Sequence, residues 1–188
     1  MFEENDFIFF QSRFRFKYLF RSIIQRFTGV EISIKERKYK FEHCARYSKG
    51  YIYECLGSAF WDTKKKGCIK TLADERIKYN KSYTKVFIIR LNEQYSKTVS
   101  DYINKCLESQ LGKKYTAIQA TMSYLENFIP SKLKILFLRK SKIEEFFCSK
   151  LAVYPEYKIG KIKEIPRTLT PNELASILLN KGANIIEL

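Results

Sequence analysis

The only histidine of the chain, His43, lies in the run Phe41-Glu42-His43-Cys44-Ala45-Arg46, and a glutamate, Glu54, lies in the run Tyr51-Ile52-Tyr53-Glu54-Cys55-Leu56. Both runs have strand character, and Tyr47-Ser48-Lys49-Gly50 between them has the composition of a turn. If the strands pair antiparallel so that Tyr47 faces Gly50 across a two-residue turn, or Arg46 faces Tyr51 across a four-residue one, His43 faces Glu54. Directly opposed residues have Cβ atoms about 4.5–5.5 Å apart, close enough for the carboxylate to reach an imidazole nitrogen. A carboxylate on one ring nitrogen sets the tautomer and supports a positive charge, and the other nitrogen is then free to face a nucleophile. The sequence offers thiols for that role: Cys44, Cys55, Cys68, Cys106 and Cys148. Spacing alone does not choose among them. Cys44 and Cys55 adjoin the pair but alternate onto the opposite sheet face. Cys68 has no special setting, Cys106 fits a helix core, and Cys148 follows Glu144-Glu145-Phe146-Phe147. A buried histidine among core cysteines would use the same residues with no chemistry at all. The cysteines form no CxxC pair, so a zinc site of standard spacing is not expected, and no cofactor is implied.

The elements that would have to position these groups are legible in outline. Residues 6–11 read as a short buried strand, and 86–91 as another. Residues 13–27 carry Phe16, Leu19, Phe20, Ile23, Ile24 and Phe27 at helical spacing, with Arg15, Lys17, Arg21 and Arg26 on the other side. Residues 98–111 and 116–128 read as helices, and 142–154 as a helix stopping at Pro155. Thr170-Pro171-Asn172-Glu173 is a capping box with proline at the first helical position, opening a helix that ends near Gly182; 183–188 closes as a strand.

The chain has 188 residues, 45% of them hydrophobic and 15% aromatic, which suits one compact α+β domain spanning 1–188. With seven Gly and four Pro it is not a linker-rich or disordered chain. The acidic start and the short apolar run Phe7-Ile8-Phe9-Phe10 do not make a signal peptide, and no stretch approaches the roughly 20 apolar residues of a membrane span. A cytoplasmic protein with free thiols is expected. The net charge of +15, with its basic residues scattered along the chain, reads first as a solvated face and beyond that points toward polyanions. Nucleic acid is the weaker candidate, since Gly-rich clamps, recognition-type helices and zinc fingers are absent from the sequence. Residues 13–27 read first as a helix packed on a sheet; an anionic membrane surface met by them, with the protein peripheral on it, is the alternative and a stronger one than nucleic acid.

Four segments in one order resemble the circularly permuted papain-like hydrolases related to NlpC, in the amidase branch typified by YiiX and YaeF, which has poxvirus relatives. Asn5-Asp6-Phe7-Ile8-Phe9-Phe10 looks like the family's "GD-apolar-apolar-F" opening, and Phe41 to Ala45 with Gly50 to Cys55 looks like its "HVGI…GYVIEA" hairpin. Phe146-Phe147-Cys148-Ser149-Lys150-Leu151-Ala152 resembles its "YYCSELVA" helix, and Leu169 to Leu174 its closing "TP-x-x-L". The chain departs from the pattern at Asn5, Ala45 and Lys150, where the family has Gly, Gly and Glu. The resemblance implies a permuted papain-like domain with a central antiparallel sheet flanked by helices. It also implies Cys148 as nucleophile, His43 as base and Glu54 as the group that orients it. The activity implied is a cysteine hydrolase or acyltransferase acting through an acyl-enzyme on a peptide amide or a lipid acyl group. A catalytically silent scaffold of the same fold is the alternative.

Overall fold

A computed structural model describes residues 2–12, 32–34, 37–56, 67–80, 84–115, 146–162 and 169–188. The segment 13–27, the expected helix at 116–128 and the first residues of the one at 142–154 lie outside them.

Strand β1 (Phe7–Ser12) is central because its residues are apolar on both faces: Phe7, Ile8, Phe9 and Phe10 are all buried. It pairs antiparallel with β4 (His43–Ser48) on one side and β7 (Thr84–Arg90) on the other. Outward from β4 follow β5 (Tyr51–Leu56) and β6 (Gly67–Leu72), and outward from β7 follows β8 (Asn184–Glu187). The result is a six-stranded antiparallel sheet in the order β6-β5-β4-β1-β7-β8. A separate pair, β2 (Ile32–Ile34) and β3 (Arg37–Tyr39), completes the described strands.

Period-two alternation sends the two halves of β1 into different cores. Phe7 and Phe9 join Cys44, Phe87 and Ile89 beneath two helices, α3 (Cys148–Lys158) and α4 (Pro171–Asn180). Ile8 and Phe10 join Ala45, Ile52, Val86 and Ile88 against Ala73 and Ile77 of α1 (Ala73–Asn80). Helix α2 (Lys97–Glu108) covers Tyr53, Cys55 and Cys68 with Ile103 and Leu107, and Ser96 caps its first turn. Helices therefore flank both faces of the sheet.

The hairpin β4–β5 differs from the expected one. Ser48 faces Tyr51 and Arg46 faces Tyr53, so the turn is the two-residue Lys49-Gly50 rather than Ser48-Lys49 or a four-residue one. Lys49 at φ 48° and Gly50 at φ 83° are both left-handed, the twist that two-residue hairpins favour. The register is shifted by two residues from expectation, which preserves the faces.

Helix α3 also departs from its expected limits. It starts at Cys148, because Phe147 is extended (φ −129°) and Phe146 bridges in parallel to Tyr115. It continues through Pro155 to Lys158. A proline inside a helix costs about 3 kcal/mol through its lost hydrogen bond and its ring. The turn beyond it is held by a tertiary contact, Glu156 accepting from the fully buried Arg46 of β4 at 2.6 Å, and by the helix's own closing bond from Ile159 N–H to Pro155 O at 2.9 Å. The Arg46 guanidinium also lies 3.6 Å from the centre of the Phe7 ring.

One glycine is tied to the site's scaffold by contact. Gly67 opens β6 at φ 94°, and a Cβ there would collide with the Lys113 carbonyl, which accepts from Cys68 N–H at 2.8 Å. Gly67→Ala is expected to destabilise the protein by about 2–3 kcal/mol, combining left-handed strain with the clash. Urea denaturation of the variant beside wild type measures it.

Candidate active site

Three elements converge on His43. It is the first residue of β4, and the chain entering that strand is fastened two residues earlier, where Phe41 N–H donates to the Asn172 side-chain oxygen at 2.8 Å. Asn172 is buried in the first turn of α4, whose start is set by the Thr170–Glu173 capping box. The closing Thr-Pro-Asn-Glu segment thus positions the histidine strand.

His43 Nε2 stands 3.0 Å from Glu54 Oε2, and both side chains are buried. Because the register is shifted by two, the pair is diagonal rather than directly opposed; Arg46, not His43, is matched within the ladder to Tyr53 beside Glu54. Diagonal neighbours on one face remain within reach of long side chains. Glu54 in turn accepts two hydrogen bonds from Arg76 of α1, Nε to Oε1 at 2.5 Å and the terminal nitrogen to Oε2 at 2.7 Å. The Arg76 guanidinium also covers the Phe10 ring at 4.7 Å. Burial alone would raise the Glu54 carboxyl, yet Arg76 and His43 hold it down at about 2. Glu54 is therefore a carboxylate throughout the physiological range.

Cys148 is the first residue of α3 and is 7% exposed. It meets β4 at that strand's first two residues, His43 and Cys44. Hydrogen bonds from Cys44, then from His43, hold the thiol well below its ordinary value against the opposing effect of burial. A position in the first helical turn adds the favourable end of the helix dipole. Burial pushes Cys44 the other way, so it stays a neutral thiol that donates to Cys148. Burial depresses His43, but its hydrogen bonds with Cys148 and Glu54 more than offset that and its pKa is raised above 6.5. Glu54 takes Nε2, so Nδ1 is the nitrogen left for the cysteine. A raised imidazole beside a lowered thiol is the electrostatic condition for a thiolate–imidazolium pair.

The structure thus brings His43, Glu54 and Cys148 to one place, and it adds two residues that sequence reasoning passed over. Cys44 was set aside because it alternates away from His43, and it does face the α3 side of the sheet; at the end of the strand Cys148 reaches both neighbours. Arg76 had an available signal, since Ala73, Arg76 and Ile77 share one helical face at spacings of three and four. Asp6 of the opening motif lies elsewhere, accepting both arms of Arg90 at 2.9 Å and so linking the entry of β1 to the end of β7. Lys150 places its ammonium 5.1 Å from the centre of the Phe146 ring. Cys106 lies in α2, and Cys55 and Cys68 face each other across β5 and β6.

No family model matches the sequence, and no curated protein matches it. A solved structure does match: the metalloprotein YiiX from Escherichia coli O157:H7, with a TM-score of 0.54 and 14% identity over 92% of this chain and 91% of that one. The chain shares the fold of YiiX. The neighbour is described as a metalloprotein; among the described residues of this chain no group of three or more His, Cys, Asp or Glu is placed to hold a metal ion. Among the described residues, too, no helix is long and apolar enough to cross a membrane.

Proposed function

We propose that the protein is a cysteine-dependent hydrolase or acyltransferase of the permuted papain-like type, cleaving an amide or ester through an acyl-enzyme. The observation that carries this reading is the burial of one histidine between a carboxylate locked by arginine and a thiol at a helix N-terminus. Cys148 Sγ attacks the carbonyl carbon as a thiolate. His43 holds the proton and returns it to the leaving amine or alkoxide. Glu54, fixed by Arg76, keeps the ring oriented and supports its positive charge. Water or another acceptor then attacks the acyl-enzyme with His43 as base. The backbone amide of Cys148, in a first turn where no intrahelical acceptor exists, is suited to the developing oxyanion.

The ion pair exists above the depressed pKa of Cys148 and below the raised pKa of His43, so activity should form a plateau spanning neutral pH. The substrate is proposed to be a peptide amide or a lipid ester, the basic residues of 13–27 bringing the enzyme to anionic lipid in the second case.

Incubation with a panel of activated peptide-amide and fatty-acyl esters tests the chemistry. The expected outcome is turnover with an acyl group trapped on Cys148 and no turnover by Cys148→Ala. A stable, folded wild-type protein that neither turns over nor acylates at Cys148 would make it a scaffold of the same fold instead.

A further inference from the structure

Away from the candidate nucleophile, two thiols are arranged for chemistry of their own. Cys55 on β5 and Cys68 on β6 are register partners, and their sulfurs are 3.0 Å apart. The backbone of Cys68 points away from Cys55: its N–H donates to Lys113 O at 2.8 Å, and its carbonyl accepts from Gly112 N–H at 2.9 Å. The pair is therefore a non-hydrogen-bonded one, the class in which opposed Cα atoms come to about 4.5 Å and the side chains come closest. That separation falls inside the Cα range of about 4.4–6.8 Å that disulfides use, so a bond can close without strand displacement. The thiols form a donor chain, Cys68 to Cys55 and Cys55 to Phe146 O at 3.4 Å.

We infer that Cys55 and Cys68 are a modification site, a dithiol that closes to a cross-strand disulfide on reaction with a small hydroperoxide. Cys68 lies on β6, the last strand of the described six-stranded sheet, and in this scheme its sulfur is the one that reacts first. Its sulfur attacks the O–O bond, forming a sulfenic acid and releasing one alcohol or water. The Cys55 sulfur then displaces the hydroxyl from that sulfur, the S–S bond forms, and the second oxygen leaves as water. The two thiols lose two electrons and two protons to the peroxide. Both side chains are buried, which selects a small oxidant over a bulky disulfide. Closure removes the S–H that serves Phe146 O, next to Phe147, the N-cap of α3. The modification would thus be felt at the element that carries Cys148.

Hydrogen peroxide added to the reduced full-length protein tests the site without reference to any activity. Remaining thiols are blocked with iodoacetamide after denaturation, and the digest is mapped by mass spectrometry. The expected result is a joined Cys55–Cys68 peptide pair, lighter by two hydrogens, unblocked by either alkyl group and separated by dithiothreitol. In Cys68→Ser the joined pair should vanish and Cys55 should be recovered alkylated. Recovery of Cys55 and Cys68 as alkylated thiols in wild type while Cys148 oxidises, or their pairing with other cysteines, would overturn the inference. The wild-type result stands alone even if the variant fails to fold.

Discussion

Arg76→Ala is expected to destabilise the protein by about 3–5 kcal/mol at neutral pH, the cost of leaving a buried carboxylate without its partner. Glu54 is fully buried and takes two hydrogen bonds from Arg76, so no solvent replaces them. The pH dependence distinguishes this cause from simple loss of packing. In wild type the folded carboxyl is held at about 2 against an ordinary value of 4.5, so its contribution is fully present above 4.5 and is lost as pH falls toward 2. Without Arg76 the carboxyl protonates in the folded state at a higher pH. The gap between variant and wild type should therefore narrow as pH is lowered through that range. Urea denaturation at neutral and acid pH measures both, and a gap that stays constant would assign the loss to the guanidinium's packing on Phe10 instead. Pairing Arg76→Met with Glu54→Gln should recover much of the stability, because the charge and its partner leave together. It should recover less of the turnover than of the stability, since an amide can orient the ring but supplies no counter-charge to the imidazolium.

His43→Ala is expected to slow alkylation of Cys148 at pH 6 by roughly 10–25-fold. An unassisted thiol at 9.0 is about 0.1% ionised at that pH, so full ionisation offers close to 10³ in reactive species. A less basic sulfur is a poorer nucleophile, and for a thiol lowered far enough to be ionised at pH 6 a Brønsted coefficient of about 0.4–0.5 takes back some 40–100-fold of the gain. The profile matters more than the single rate. Wild type should be nearly flat from pH 6 to 8, while the variant should climb about tenfold per pH unit as an ordinary thiol does. Rates of iodoacetamide incorporation at Cys148, read by peptide mapping, give both curves. A wild-type curve with the same slope as the variant would show that His43 does not form an ion pair with this cysteine. Cys44→Ala should shift the wild-type plateau toward higher pH without abolishing it, because Cys44 is a neutral donor to the sulfur rather than its counter-ion.

Much of the molecule could be read from local pattern. The doubly apolar Phe7 to Phe10 run demanded a buried strand, the alternating runs around His43 and Glu54 demanded a hairpin, and the capping box set the start of α4. The shared face of His43 and Glu54 survived an incorrect register, because a shift of two residues leaves side-chain alternation intact. Turn position was not legible in the same way: Lys49 had to adopt a left-handed conformation, which residue type does not announce. Where helix α3 begins and ends was decided by tertiary contacts, the Phe146 bridge before it and the Arg46–Glu156 pair beyond Pro155.

The choice of thiol and the completion of the site belonged to the third dimension. Spacing left five cysteines open; resemblance singled out Cys148, and only packing of a helix start against a strand start brings it to His43. That meeting joins residues more than a hundred positions apart, and no local periodicity encodes it. The same is true of Arg76, whose helical face was readable but whose partner was not. Sequence by itself determined which side chains could do acid–base and nucleophilic chemistry and which strands carried them. Tertiary structure decided which of them meet, because pKa values follow burial and charged neighbours, and those are set by packing between elements rather than by order along the chain.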